Sequence, residues 1–266
     1  MINGGGGMGK IIAVCNQKGG VGKTTTAVNL STYLALKGKK TLIIDSDPQA
    51  NATSGLGLDK REQMKSIYEL LIYKYNIKEV TIAGPVDNLF IIPASVALTG
   101  AEVEFVNIEH REYKMREIFS PIKQEYDFII IDCPPSLGLL TLNILVAADS
   151  VLIPLQCEYY SLEGVSQLME TINLVKKNLN PDLEIEGVVL TMADFRTNLT
   201  EQVINEVKSF FQEKVFNTII ARTIRLSEAP GFGKPIFLYD RFSVGAMKYE
   251  LLADEVISLQ SGEGAS

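Results

Sequence analysis

A chain of 266 residues and 29.3 kDa, 46% hydrophobic, is long enough to bury a large core in an α/β domain. Its formal net charge of -7 repels DNA and anionic lipid as a whole, so any polyanion site must be a local patch. One histidine, His110, in a charged helical stretch, argues against chemistry built on imidazoles, and Cys15, Cys133 and Cys157 form neither a Cys-x-x-Cys metal pair nor a disulfide framework and read as buried reduced thiols.

Met1 to Gly7 includes four consecutive glycines and lacks the parts of a signal peptide, so residues 1–7 read as a glycine-rich tail and Met8 as the start of the fold. Ile11 to Cys15 is a short, fully apolar run of the kind a strand buried on both faces requires. The glycine-rich stretch Lys18 to Thr25 follows, and Thr24 to Lys37 then carries a helical apolar period that ends at Gly38. Further strands are expected at Thr41–Ile44, Leu89–Ile92, Phe128–Ile131, Val151–Ile153, Gly187–Leu190 and Thr218–Ile220, with helices at Ser161–Leu179 and Asn198–Gln212. Leu137 to Leu155 is the longest apolar stretch, but Asn143, Asp149 and Pro154 make it a helix followed by a strand instead of a membrane span. The alternation implies one α/β domain over residues 8–258, a three-layer, mainly parallel sheet with helices on both faces, and a polar tail at 259–266. Ligands of such sheets bind beyond the carboxyl ends of the strands.

Three candidate motifs fall at such ends. In the first, Gly19, Gly20 and Gly22, with Val21 between them, let the backbone wrap a triphosphate and aim N–H groups at it. Lys23 adds a point charge for the β and γ phosphates, Thr24 a hydroxyl for Mg²⁺, and Thr25 continues into a helix whose N-terminus favours the anion. In the second, Asp45 and Asp47 lie where a loop can fold over the γ-phosphate; Asp47 is the better placed to hold the attacking water, and Asp45, nearer its strand, to order the metal's water shell. In the third, Asp132 ends a buried strand as a Walker-B aspartate does, delivering a carboxylate to Mg²⁺. These readings make the chain a P-loop ATPase using ATP/ADP and Mg²⁺.

Lys18 stands five positions before Lys23, giving the form Lys-Gly-Gly-x-Gly-Lys-Thr-Thr. With Asn16-Gln17, Asp45-x-Asp47-Pro48-Gln49, Asp132-x-Pro134-Pro135-Ser136, Glu158-Tyr159-Tyr160-x-Leu162-Glu163-Gly164, Arg196-Thr197-Asn198-Leu199 and Arg225-Leu226-Ser227-Glu228-Ala229-Pro230, the chain resembles the ParA/MinD family of deviant Walker A ATPases, in its chromosomal ParA (Soj) form, from Met8 to Ile257.

The resemblance implies a homodimer with ATP sandwiched between subunits, each Lys18 reaching the partner's phosphates past a small Gly19, and Asp47 positioning water. It also implies slow turnover until a ParB-like centromere-binding protein stimulates it. ATP-bound dimers of the family bind double-stranded DNA without sequence preference, through arginines that match Arg196 and Arg225, so the protein is expected in the cytoplasm, on the nucleoid. Residues 196–250 hold eight basic side chains against six acidic, a weak bias in the same direction. Met192 is available to pack on the base, and the adenine loop carries Ala221-Arg222-Thr223 where the family usually has Pro-Arg-Asn, which loosens the expectation of ATP over GTP. Ala50 replaces a glycine in the loop after Asp47. The alternative, a MinD-like membrane ATPase, needs a basic amphipathic helix at its end, and Ile257 to Gly264 is too short and too polar for one. An iron–sulfur carrier needs cysteine-held clusters. No helix-turn-helix precedes Lys10, so the form without an added DNA-binding domain is expected.

Overall fold

The computed structural model describes residues 9–60, 64–158 and 161–261. The expected N-terminal tail with Met8, Tyr159 and Tyr160 of one motif, and residues 262–266 of the expected C-terminal tail lie outside the described residues. The strands are β1 (Lys10–Val14), β2 (Thr41–Asp45), β3 (Ile82–Ala83), β4 (Leu89–Ile92), β5 (Phe128–Asp132), β6 (Ser150–Gln156) and β7 (Glu184–Thr191). They form one sheet in the order β3-β4-β2-β5-β1-β6-β7, parallel throughout except for the two-residue edge strand β3.

The side-chain period of two explains the near-continuous apolar strands. Ile11, Ala13, Leu42, Ile44, Ile129 and Ile131 enter one core cluster, while their chain neighbours Ile12, Val14, Ile43, Phe128 and Ile130 enter a second on the other face. The first cluster is covered by the helices Leu139–Ala147, Ser161–Asn178 and Asn198–Phe211, through residues such as Ile144, Leu168 and Val207. The second is covered by the helix Lys23–Leu36 and the carboxy-terminal helix Val244–Ser261, through Leu30, Leu34, Tyr249 and Leu252. Helices on both faces of a mainly parallel sheet are therefore as expected.

Register then aligns the motif-bearing ends. Val14 stands opposite Asp132, and Asp132 opposite Asp45, so β1, β5 and β2 deliver the glycine loop and the two carboxylates side by side.

The structure departs from the sequence reading in four places. Thr218–Ile220 is not a strand: isolated bridges at Val215 and Ala221 flank it, and the N–H groups of Asn217 and Thr218 donate to the Glu255 carboxylate, both at 2.8 Å. A carboxylate from the carboxy-terminal helix thus takes the donors a ladder needs. Strand β3 was not expected, because two residues are too few to display an alternation. The carboxy-terminal helix runs to Ser261, so residues 259–261 of the expected polar tail are helical. His110 is exposed as expected, but occupies a turn at φ 54°, not a helix. All three cysteines are free and buried, and no helix among the described residues is long and apolar enough to cross a membrane.

Candidate nucleotide site

The loop between β1 and the helix Lys23–Leu36 is shaped by two left-handed residues, Gly20 at φ 76° and Gly22 at φ 89°. A side chain at either would be strained by about 1–2 kcal/mol. Gly22 is also the N-cap, no side chain caps that helix end, and no acidic residue occupies its first turn. The first-turn N–H groups are thus left for an anion. The loop is anchored at both ends: Asn16 donates to the Pro154 carbonyl at 2.7 Å and accepts the Lys18 N–H at 3.0 Å, and the Thr191 hydroxyl donates to the Val21 carbonyl at 2.9 Å. An ideal Cβ on Gly19 or Gly20 would meet nothing within 4 Å, so the face of the loop is open.

Lys23 is buried, and its ammonium folds back to donate to the Lys18 carbonyl at 2.8 Å. Burial lowers its pKa, while Asp132, the largest opposing influence, raises it. Asp132 is fully buried, and neither carboxylate oxygen has a hydrogen-bond partner in acceptable geometry. Its pKa is raised well above the usual carboxylate value by burial and then by Asp45, with the nearby Thr24 hydroxyl opposing. A carboxylate sealed from water and left without donors fits a hydrated divalent cation, which would supply both the charge and the donors. Among the described residues no three His, Cys, Asp or Glu side chains converge on a metal position. A cation here would accordingly rest on Thr24, Asp132, water and phosphate.

Asp45 does something additional to what its position implied. One oxygen accepts both the N–H and the hydroxyl of Thr53 at 2.7 Å each, and the other accepts the Asp47 N–H at 3.1 Å. Asp45 therefore holds the following loop in shape, although burial still pushes its pKa up to about 6. Thr53 was not foreseen; it also receives the Ala94 N–H at 3.0 Å, tying the loop to the end of β4. Asp47 is 8% exposed, and its carboxylate accepts the Gln49 N–H at 2.9 Å.

Ala50 takes the left-handed conformation itself, at φ 53°, so the loop keeps the shape a glycine would give it. Ala50→Gly would relieve about 1–2 kcal/mol of backbone cost. It would also lose a buried methyl worth about 0.8 kcal/mol and add about 0.4–1 kcal/mol of unfolded-chain entropy. Calorimetry should find the melting temperature within about 2 °C of the parent; a larger rise would mean that the methyl is strained, not packed.

A cavity of about 290 Å³ adjoins the loop and brings together Gly22, Thr25, Met192, Ala221 and Thr223, residues from three distant parts of the chain. Met192 reaches it from a left-handed backbone at φ 53°, unusual for so large a side chain.

Although Leu226 and Ser227 beside Arg225 line this cavity, Arg196 and Arg225 do not, and they lie on exposed segments. The first runs off the end of β7 and pairs with the second through the Ala193–Ala221 bridge. Arg196 makes a two-pronged pair with Asp194 at 2.8 and 2.6 Å, and Arg225 pairs with Glu228 at 3.1 Å and Asp240 at 3.4 Å. Arg196 in turn holds the Asp194 carboxyl down to about 2. Lys18 is half-exposed, its ammonium 3.2 Å from Glu158, a partner the motif reading did not assign.

A family profile described as an AAA domain matches residues 9–185. The chain is 57% identical over 249 residues to the sporulation initiation inhibitor protein Soj of Bacillus subtilis, covering 94% of this chain and 98% of that one. It is 55% identical over 250 residues to the chromosome partitioning protein ParA of Myxococcus xanthus, covering 94% and 88%. Among solved structures, cobyrinic acid a,c-diamide synthase of Mycobacterium smegmatis with bound ADP and magnesium superposes with a TM-score of 0.84 at 34% identity, covering 96% of this chain and 97% of that one.

Proposed function

The chain belongs to the ParA/Soj family of chromosome-partitioning ATPases, and from that membership we propose that it hydrolyses ATP as a nucleotide-sandwiched homodimer that binds DNA without sequence preference. A ParB-like protein at centromere sites stimulates the hydrolysis, and the ATP-bound dimer resides on the nucleoid. The observation that carries the ATPase reading is the partnerless, buried Asp132 carboxylate beside Lys23 and a loop with two left-handed glycines.

In this reading the amides of residues 19–25 and the Lys23 ammonium bind the phosphates, and Lys23 exchanges the Lys18 carbonyl for phosphate oxygen. Thr24 and Asp132 hold Mg²⁺, with Asp45 behind them; the ion, when bound, neutralises charge on the β and γ phosphates. Asp47 orients water at the γ-phosphate. Met192, Ala221 and Thr223 pack on the base. Lys18 crosses to the partner's phosphates, which ties charge stabilisation to dimerisation.

Arg196 and Arg225 carry the DNA contact, and each must give up local carboxylates to do so. Binding of a random duplex should appear with ATP and not with ADP. Arg196→Ala or Arg225→Ala should weaken it and lower the slope of log K against log salt by about one each. Asp194→Asn should modestly strengthen it by freeing Arg196. Unchanged salt slopes in both arginine variants would move the DNA face elsewhere.

A further inference from the structure

Glu158 lies just beyond the end of β6, and among the described residues Lys18, Gln156 and Arg222 converge on its carboxylate. Lys18 from the phosphate loop is 3.2 Å from one oxygen; on the other, the Gln156 side chain donates at 2.5 Å and the Arg222 guanidinium is 3.6 Å away. Lys18 belongs to the loop that grips phosphate, and Arg222 lies between Ala221 and Thr223, which line the base cavity. One carboxylate therefore joins both ends of the nucleotide site within a single chain, 140 residues from the lysine it holds.

We infer that Glu158 is the positioning residue of Lys18: it holds the ammonium within its own subunit, and this pair must open before two subunits close over ATP. The inference rests on the reading that Lys18 acts on the partner's phosphates. Three observations support the step. The pair is half-exposed on both sides, so water and salt can compete for it at modest cost. The Lys18 backbone is fixed independently, by the Asn16 acceptor, so the side chain can swing without disturbing the loop. When Lys18 leaves, Glu158 keeps Gln156 and Arg222 as partners, so its charge is not stranded. Closure thus passes the carboxylate from the phosphate side to the base side of the site, and Arg222 is the residue that receives it.

An exposed pair of this kind is worth a factor of about 1.4–5 in an equilibrium, and a dimer must open two, so the effect on dimerisation is the square, about 2- to 30-fold. The test uses the full chain carrying Asp47→Ala to suppress turnover, with sedimentation at a series of ATP concentrations. Glu158→Gln keeps a polar side chain of the same size, removes the charge, and should make the ATP-dependent dimer about 2- to 30-fold tighter. Affinity for ADP, which needs no partner subunit, should not change. Arg222→Ala leaves the Lys18–Glu158 pair in place and should not tighten the dimer. A Glu158→Gln dimer as weak as the parent or weaker, with ADP affinity intact, overturns the inference. Lys18→Ala in the same background separates the two levels: if it dimerises as well as the parent, the partner-directed role of Lys18 is what fails; if it does not dimerise, that role stands and the Glu158 result decides.

Discussion

Replacing Asp47 with alanine or asparagine is expected to lower ATP turnover by at least about 100-fold while leaving ATP binding in place. The two variants separate two jobs of one side chain. Asp47 accepts the Gln49 N–H at 2.9 Å, a contact that shapes the turn leading into Ala50 and the helix Asn51–Gly55. Asparagine keeps an acceptor oxygen there and loses only the charge, whereas alanine loses both. If the carboxylate orients water, both variants fail in turnover, and only alanine loosens the loop. Asparagine with parental turnover would reduce Asp47 to a turn residue and leave the water without an orienting group. Single-turnover measurements with tracer ATP distinguish the outcomes, because they report chemistry apart from binding and release.

The sheet was legible because its strands are buried on both faces, which leaves apolar runs such as Ile11 to Cys15 and Phe128 to Ile131 with no competing reading. That the glycine loop and Asp132 come together was legible for a related reason: both stand at the carboxyl ends of these buried strands, which the sheet aligns. What escaped was set by contacts distant in sequence. Thr53 fills Asp45 only because the short helix after Ala50 folds back under β2, and a threonine eight residues on carries no signal of that. Glu158 meets Lys18 because β6 lies beside β1 in the sheet, an order that local sequence does not specify. The run Thr218–Ile220 reads as a strand until Glu255 is seen taking the N–H groups of Thr218 and of Asn217 just before it. The cavity beside the loop assembles residues 22, 192 and 221–223, parts of the chain that local sequence does not join.

Asp132→Asn is expected to raise the thermal stability of the nucleotide-free protein while lowering Mg²⁺-dependent turnover by about 100-fold or more. The carboxylate is fully buried and partnerless, a condition that costs folding free energy and is retained where a ligand later compensates. Its sign with pH follows from the raised pKa. An unfolded Asp loses its proton near 3.8, but burial and Asp45 delay that loss well above this value in the folded chain. The folded state then binds the proton more tightly, so stability without ligand is greatest below the unfolded value and falls as pH rises through the folded one. Asp45, pushed up to about 6, adds to the fall in the same direction. Asparagine removes the Asp132 share and also relieves Asp45 of a neighbouring negative charge. The gain should therefore be larger at pH 7.5 than at pH 5; at least about 1 kcal/mol corresponds to ~2–4 °C in a chain of this size. Mg²⁺ with ATP should stabilise the parent strongly and the variant little, because the group that the cation satisfies is gone. A variant that melts below the parent at pH 7.5 without nucleotide would mean that Asp132 is held by contacts within the fold, and the argument for a cation beside it would lose its structural basis.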